Sequence, residues 1–312
     1  MRTAFTDLLG LDAPIVQASL GPWTSVELTA AVCEAGALGS IGTSLVAPDR
    51  LRAMLAELRA RTDRPFAVNH TRRPFSEDAF AIGLEAEPAV VSLAIGEPGD
   101  LPARAHDAGA LFMAQVHTVE QAERAVAQGA DVLIAQGGEA GGFCGEVATM
   151  ALVPQVVDAV APVPVLAAGG IADGRGLAAA LVLGAAGVNI GTRFLATVEA
   201  QVPERYKARI VAAASQDAAQ IDAAPFPPVG PGGYVTAPRT LPTPFTATGP
   251  PADSADELVA AVRAGRADEL VPFAGQTVGL IDAIVSARDV IDALVTGAQT
   301  TLASVSGAVQ RG

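Results

Sequence analysis

Up to about residue 196, short runs of β-branched and apolar residues alternate with longer Ala-rich stretches whose apolar positions recur at helical spacing. Such alternation belongs to repeated strand–helix units around a parallel sheet. Strands are predicted at Pro14 to Gln17, Leu38 to Gly42, Phe66 to Asn69, Val90 to Ala94, Leu111 to Val116, Val132 to Ala135, Val163 to Ala167 and Gly187 to Ile190. Helices are predicted between them at Thr24 to Ala35, Pro48 to Arg61, Ser76 to Ala86, Leu101 to Ala108, Val119 to Gln128, Leu152 to Val160 and Gly174 to Leu183. Local punctuation agrees. Thr118-Val-Glu-Gln121 reads as a capping box, Pro48 suits a first helical turn, and Gly36, Gly109, Gly129 and Gly184 stand where a left-handed residue ends a helix. Eight strands at intervals of about 20 to 25 residues suit a closed (β/α)8 TIM barrel better than an open doubly wound sheet.

Beyond Phe194 the rhythm changes. A helical stretch over Lys207 to Ala214 precedes a Pro/Gly-rich segment from Ala224 to Pro251, where little regular structure is expected and where Phe226, Tyr234 and Phe245 interleave with the prolines. Helical spacing returns at Ala255 to Ala264, Thr277 to Ser286 and Ala287 to Leu302. The expected division is a barrel with C-terminal helices, residues 1–196 and 255–312, and an inserted lid-like segment, residues 197–254.

Composition narrows the function. The 312 residues fit one barrel of roughly 250 residues plus an appendage. A hydrophobic fraction of 50% with 17% charged residues is that of a folded globular chain. The net charge of −13, with no Lys/Arg stripe to offset it, argues against nucleic acid or an anionic membrane as partner. Arg2, Asp7 and Asp12 interrupt any signal-peptide core, and no apolar run approaches the roughly 20 residues of a bilayer span, so a soluble cytoplasmic protein is expected, as a monomer or homodimer. Cys33 and Cys144 stand alone, without metal-ligand spacing.

The candidate chemistry sits at strand ends, where barrel active sites gather. Ala168-Gly169-Gly170 closes the seventh predicted strand and Asn189-Ile190-Gly191-Thr192 the eighth. Both offer backbone N–H groups without blocking side chains, either as a phosphate cradle or simply as tight turns. After the sixth strand, Gln136-Gly-Gly-Glu-Ala-Gly-Gly-Phe-Cys-Gly145 combines polar side chains with glycines: Gln136 can hydrogen-bond a flat heterocycle, and Gly141 and Gly142 let a ring approach the backbone. Within it Glu139 reads as an anchor for backbone N–H groups and Cys144 as an inert thiol. His70 and His117 follow the third and fifth strands and are candidate catalytic groups, His117 because the two-residue period that turns Gln115 inward also turns His117 inward. His106, mid-helix, reads as a surface residue. Arg193 pairs either with a phosphate or with a barrel carboxylate.

These segments resemble the nitronate monooxygenases, formerly 2-nitropropane dioxygenases, with their flavin reductase and enoyl thioester reductase relatives. The resemblance is carried in order by Pro14-Ile-Val-Gln17, Val68-Asn69, Ala135 to Gly142, Ala167 to Arg175, Asn189 to Phe194 and Ala274-Gly-Gln276. It implies a (β/α)8 barrel holding non-covalent FMN, with Asn69, Gln136, Gly141, Gly170 and Asn189 through Thr192 contacting the flavin and Gln17 and Ala18 beside the isoalloxazine. In that family a histidine follows the glycine-rich stretch and removes a proton from neutral nitroalkanes; here Phe143 stands in its place. A phenyl ring accepts no proton. The leading expectation is oxidation of a nitronate, already deprotonated, with O2. The alternative is an NADH- or NADPH-dependent flavin reductase acting on a quinone or an enoyl thioester. A third reading is a phosphate-ligand-binding barrel without turnover.

Overall fold

The computed structural model describes residues 1–72, 74–221, 236–247 and 255–309. Eight parallel strands form the barrel: β1 (Ile15–Gln17), β2 (Gly39–Gly42), β3 (Phe66–Thr71), β4 (Val90–Ala94), β5 (Leu111–Val116), β6 (Val132–Gln136), β8 (Val165–Ala168) and β9 (Gly187–Ile190). The remaining strand in this stretch, β7 (Gly142–Cys144), leaves the barrel after β6. Neighbours pair in the order β1-β9-β8-β6-β5-β4-β3-β2, and a parallel bridge between Val16 and Leu38 closes the ring. All eight barrel strands overlap those read from the sequence, and the helices between them fall within a few residues of expectation. Gly36, Gly109, Gly129 and Gly184 all adopt left-handed φ at helix ends. The Thr118 hydroxyl caps its helix by accepting from Gln121 N, but Gln121 Oε1 accepts from His117 N instead of returning to Thr118.

Strand alternation divides the barrel into two shells. On β3, Phe66 and Val68 face the helices while Ala67 faces the interior; on β8, Val165 and Ala167 face out and Leu166 in. Phe5, Val16, Ala67, Val90, Val132 and Leu166 belong to one buried apolar cluster that fills the floor. Helix Ala4–Leu9, capped by Thr3, supplies Phe5. The C-terminal helix Ala287–Val309 crosses helix Gly174–Val182 so closely that a side chain on Gly174 would lie 2.5 Å from Gly297 Cα.

Two expectations fail outside the barrel. The Pro/Gly-rich segment contains regular structure: β11 (Ala237–Thr240) pairs antiparallel with β7 and with β10 (Ala219–Gln220), and a short helix covers Pro244–Ala247, with Phe245 half-buried. The outer edges of β7 and β10 supplied the partners that a local reading does not see. Phe226 and Tyr234 lie outside the described residues. The helix expected at Thr277 to Ser286 is instead a 3-10 turn, Gln276–Leu280, followed by extended chain; Val198 N donates to Val285 O at 3.0 Å, and Gly279 packs against Ser215. Among the described residues no helix is long and apolar enough to cross a membrane.

Candidate active site

The C-terminal strand ends open into a cavity of about 640 Å³. Its floor is apolar, with Val16, Met113, Ile134 and Ala168, and above it stand inward polar side chains of four strands: Asn69, Ser92, Gln115 and Gln136. Two hydrogen bonds fix these amides. The Ser92 hydroxyl donates to Asn69 Oδ1 at 2.7 Å, and Gln115 Nε2 donates to Gln136 Oε1 at 2.8 Å. Each bond consumes an acceptor, so Asn69 and Gln136 retain their NH2 groups as donors toward a bound molecule.

The two glycine turns follow β8 and β9, beside Gln136 and across the barrel from Asn69. Gly169 and Gly170 have φ of +96° and +74°, a conformation that only glycine adopts without strain. A side chain at Gly191 would meet nothing nearer than Ala18 Cβ at 3.7 Å and Leu20 Cδ2 at 3.9 Å, so it would project into the cavity. This is a cradle that a Cβ would fill. Open backbone, amide donors and an apolar floor together fit the FMN that the resemblance implies.

A buried clamp holds the glycine-rich loop. Both Glu139 oxygens accept from Thr149 N, at 3.2 and 2.9 Å, and the Thr149 hydroxyl lies 2.8 Å from Glu139 Oε2 and 3.0 Å from Gly169 O. One residue therefore ties the loop after β6 to the turn after β8, with Glu139 acting as the anchor expected of it. Arg239 on β11 grips the same loop by donating twice to Gly138 O, at 3.0 and 2.8 Å. The Cys144 thiol is buried and its pKa raised by burial, against the lowering effect of Gln220 and Arg239.

Eleven of the twelve expected contact positions line this cavity: Ala18, Asn69, Gln136, Gly141, Gly142, Gly169, Gly170, Asn189, Ile190, Gly191 and Thr192. Gln17 does not. Its neighbours Val16 and Ala18 take the inward positions, and Gln17 Oε1 accepts from Ser40 N at 3.1 Å as a strut between β1 and β2. Gly141 lacks a side chain for packing reasons as well, since a Cβ there would lie 2.6 Å from Gly275 N.

Both candidate histidines stand off the cavity. Asn69 faces inward, so His70 faces the helices, with its ring 5.1 Å from Phe80, packed on Gly83, and Nδ1 2.9 Å from Thr43 Oγ1. His117 follows Val116, the last residue of β5, and the two-residue period ends there. Its ring turns onto Gly145, with Nδ1 3.3 Å from Gln136 O. Burial lowers both imidazole pKa values to about 4, keeping them neutral. His106 is half-exposed and pairs with Asp131 at 2.7 Å. Arg193 does not line the cavity and donates to Ala283 O at 3.0 Å; burial lowers its pKa, against the raising effect of the Asp282 carboxylate.

Apart from Phe143, the outer half of the cavity escaped the sequence reading. Phe143 lies across from Phe273, ring centroids 5.8 Å apart, while Leu20, Trp23, Leu45 and Ile95 arrive from loops and Leu258, Val259, Val262 and Arg263 from helix Ala255–Arg263. Trp23 packs on Tyr206, whose hydroxyl donates to Phe273 O at 2.6 Å. Only Phe273 had a usable sign, its place beside Ala274-Gly-Gln276. Glu139 and Arg263 are the charged lining residues.

The sequence pattern of the family described as nitronate monooxygenase matches residues 2–81 and 77–224. A hydroxy-methyl-oxo-octahydro-indene-carboxyl-CoA dehydrogenase of Mycobacterium tuberculosis is 41% identical over 68% of this chain, and the chain spans 61% of that relative's length. A nitronate monooxygenase of Paraburkholderia phytofirmans is 33% identical over 69% of this chain and 72% of its own. Among solved structures, FabK from Thermotoga maritima superposes with a TM-score of 0.90 at 35% identity, covering 98% of this chain and 99% of its own.

Proposed function

The chain belongs to the nitronate monooxygenase family of flavin-dependent oxidoreductases, and from that premise we propose that it holds FMN and reduces an extended, mainly apolar acceptor, an enoyl thioester or a quinone, with NADH or NADPH as electron donor. The supporting observation is the outer cavity: Phe143 occupies the position expected of a base and, with Phe273, Leu20 and Val262, makes an apolar wall in which no histidine stands. Such a wall excludes water from the reacting atoms and favours an apolar substrate body. FMN, when bound, supplies the two-electron chemistry. The chain's residues do the rest: Asn69 and Gln136 present N–H donors to the ring edge, the backbone at Gly170 and Gly191 receives the phosphate, and the Glu139–Thr149 clamp ties the glycine-rich loop to the Gly169-Gly170 turn.

A second reading is favoured by the family pattern itself: oxidation of a nitronate with O2, which needs no base because the substrate arrives deprotonated. Anaerobic stopped-flow mixing of the flavin-loaded protein with NADH, NADPH and propionate 3-nitronate in parallel separates the two. Bleaching by a nicotinamide donor and not by the nitronate is the expected result; bleaching by the nitronate alone overturns the reductase reading.

A further inference from the structure

Among the described residues, three other than glycine carry left-handed backbone: Leu45 (φ 61°), Glu87 (φ 51°) and Ile95 (φ 59°). For a β-branched residue such as Ile95 this is a strained conformation, and strain of this kind persists only where the surroundings enforce it. Glu87 is an exposed residue just past helix Glu77–Glu85. The other two line the cavity, on either side of β3: Leu45 in the loop after β2, Ile95 directly after β4. The end of β3 holds both loops. Thr43, two residues before Leu45, donates its N–H to Asn69 O at 3.0 Å and meets His70 Nδ1 at 2.9 Å, while Arg72 N donates to Ala94 O at 3.0 Å, one residue before Ile95. Leu45 remains 45% exposed despite facing the cavity, so its apolar surface has no cover within the described chain.

The geometry points to Leu45 and Ile95 as specificity-determining residues that grip the apolar body of the substrate, their backbone strain fixing the side chains at the mouth. This assignment rests on the reductase reading of the site. It also gives His70 a positioning role: with Thr43 it sets the root of the Leu45 loop. A structural role alone does not account for the pair, because glycine at either position would remove the strain.

The test compares Ala and Gly at each position in the flavin-loaded protein. Both variants remove the apolar side chain, and only Ala retains the strain. At an ordinary site Ala is the more stable of the two; at a left-handed site the order reverses, so each Gly variant melts higher than its Ala counterpart by about 1–2 °C. Kinetics follow anaerobic reoxidation of dithionite-reduced enzyme by crotonyl-CoA and by octenoyl-CoA. Both variants at Leu45 and Ile95 raise the apparent KM for octenoyl-CoA at least about tenfold, with little change in the limiting rate or in the KM for crotonyl-CoA. Glu87→Ala and Glu87→Gly show the same melting order with unchanged kinetics. Wild-type KM values for octenoyl-CoA in the Leu45 and Ile95 variants overturn the assignment alone, as does a Gly variant melting below its Ala counterpart. A wild-type enzyme reoxidised by neither thioester overturns the enoyl thioester form of the reductase reading and the assignment with it.

Discussion

Replacing Gly191 with Ala should separate folding from phosphate binding. Gly191 has φ −105° and ψ −71°, accessible to any residue, and the new methyl finds no protein atom nearer than 3.7 Å. The unliganded protein should therefore be as stable as wild type, or more stable by about 0.4–1 kcal/mol because the unfolded chain loses freedom. The methyl enters the cavity between the turn after β9 and Ala18, where the FMN phosphate is proposed to lie. Losing one charge-assisted hydrogen bond there costs about 1.5–3 kcal/mol, or roughly 10- to 150-fold in FMN affinity. Stability with FMN present should fall accordingly, so that the unliganded and flavin-loaded melting temperatures move in opposite directions. The assay is fluorescence titration of flavin-free protein with FMN and with riboflavin, which lacks the phosphate. The expected result is a loss confined to FMN. An equal loss for both ligands places Gly191 against the ring and refutes the phosphate assignment, and no loss for either refutes the cradle altogether.

Gly137→Ala should do the reverse and damage the fold, because its Cβ would lie 2.1 Å from Thr149 Oγ1 and 2.4 Å from Thr149 N; a stability loss of about 3 kcal/mol or more in urea denaturation is expected, and an unchanged midpoint refutes the clamp. His70 and His117 titrate near pH 4 in the fold and near 6.5 when unfolded. The unfolded chain therefore takes up protons first, and their contribution is complete above about pH 6.5 and lost as pH falls toward 4, on the order of 3 kcal/mol for each. Urea midpoints at pH 5 and 7.5 check this: His117→Gln should roughly halve the difference, His70 retaining its share, while the turnover profile should show no limb near pH 6.5, since neither ring lines the cavity. Phe143→His should add oxidation of neutral nitroalkanes above about pH 7, by a factor on the order of 10², with nitronate turnover little changed; no gain with nitroethane refutes Phe143 as the position of the missing base.

The barrel was legible because each strand carries its own evidence. Apolar β-branched runs, helix-stopping glycines and regular spacing are local signals, and the inward positions of Asn69, Gln115 and Gln136 follow from alternation within a strand. The departures have different causes. His117 lies one residue past the end of β5, where the two-residue period no longer holds, whereas Gln17, which the resemblance put beside the isoalloxazine, sits between the inward Val16 and Ala18. The β11 ladder depends on register with Gly142 to Cys144, nearly a hundred residues earlier. The outer wall is formed by residues distant in sequence, Leu20, Ile95, Leu258 and Phe273, which have in common only that they are apolar. No periodicity marks such a set before the chain is folded.

The polarity of the inner site is carried by groups that do not titrate. Asn69, Ser92, Gln115 and Gln136 are neutral, the histidines nearest to them are buried and uncharged, and the carboxylate of Glu139 is engaged with Thr149. A site of this kind holds its donors in place across a wide pH range, and the carboxylate among its described lining residues, Glu139, is already engaged by Thr149 rather than held ready as a general base. Reactions that begin by removing a proton from carbon are therefore poorly served, whereas hydride transfer through a bound flavin needs no base at carbon; the proton that completes a reduced enoyl or quinone acceptor would be taken from water at the mouth. Phe143 supplies an apolar wall. Its presence where the family places a histidine agrees with the rest of the site, and on the proposed reductase reading selectivity would follow from which apolar bodies fit beside Phe143, Phe273 and Ile95.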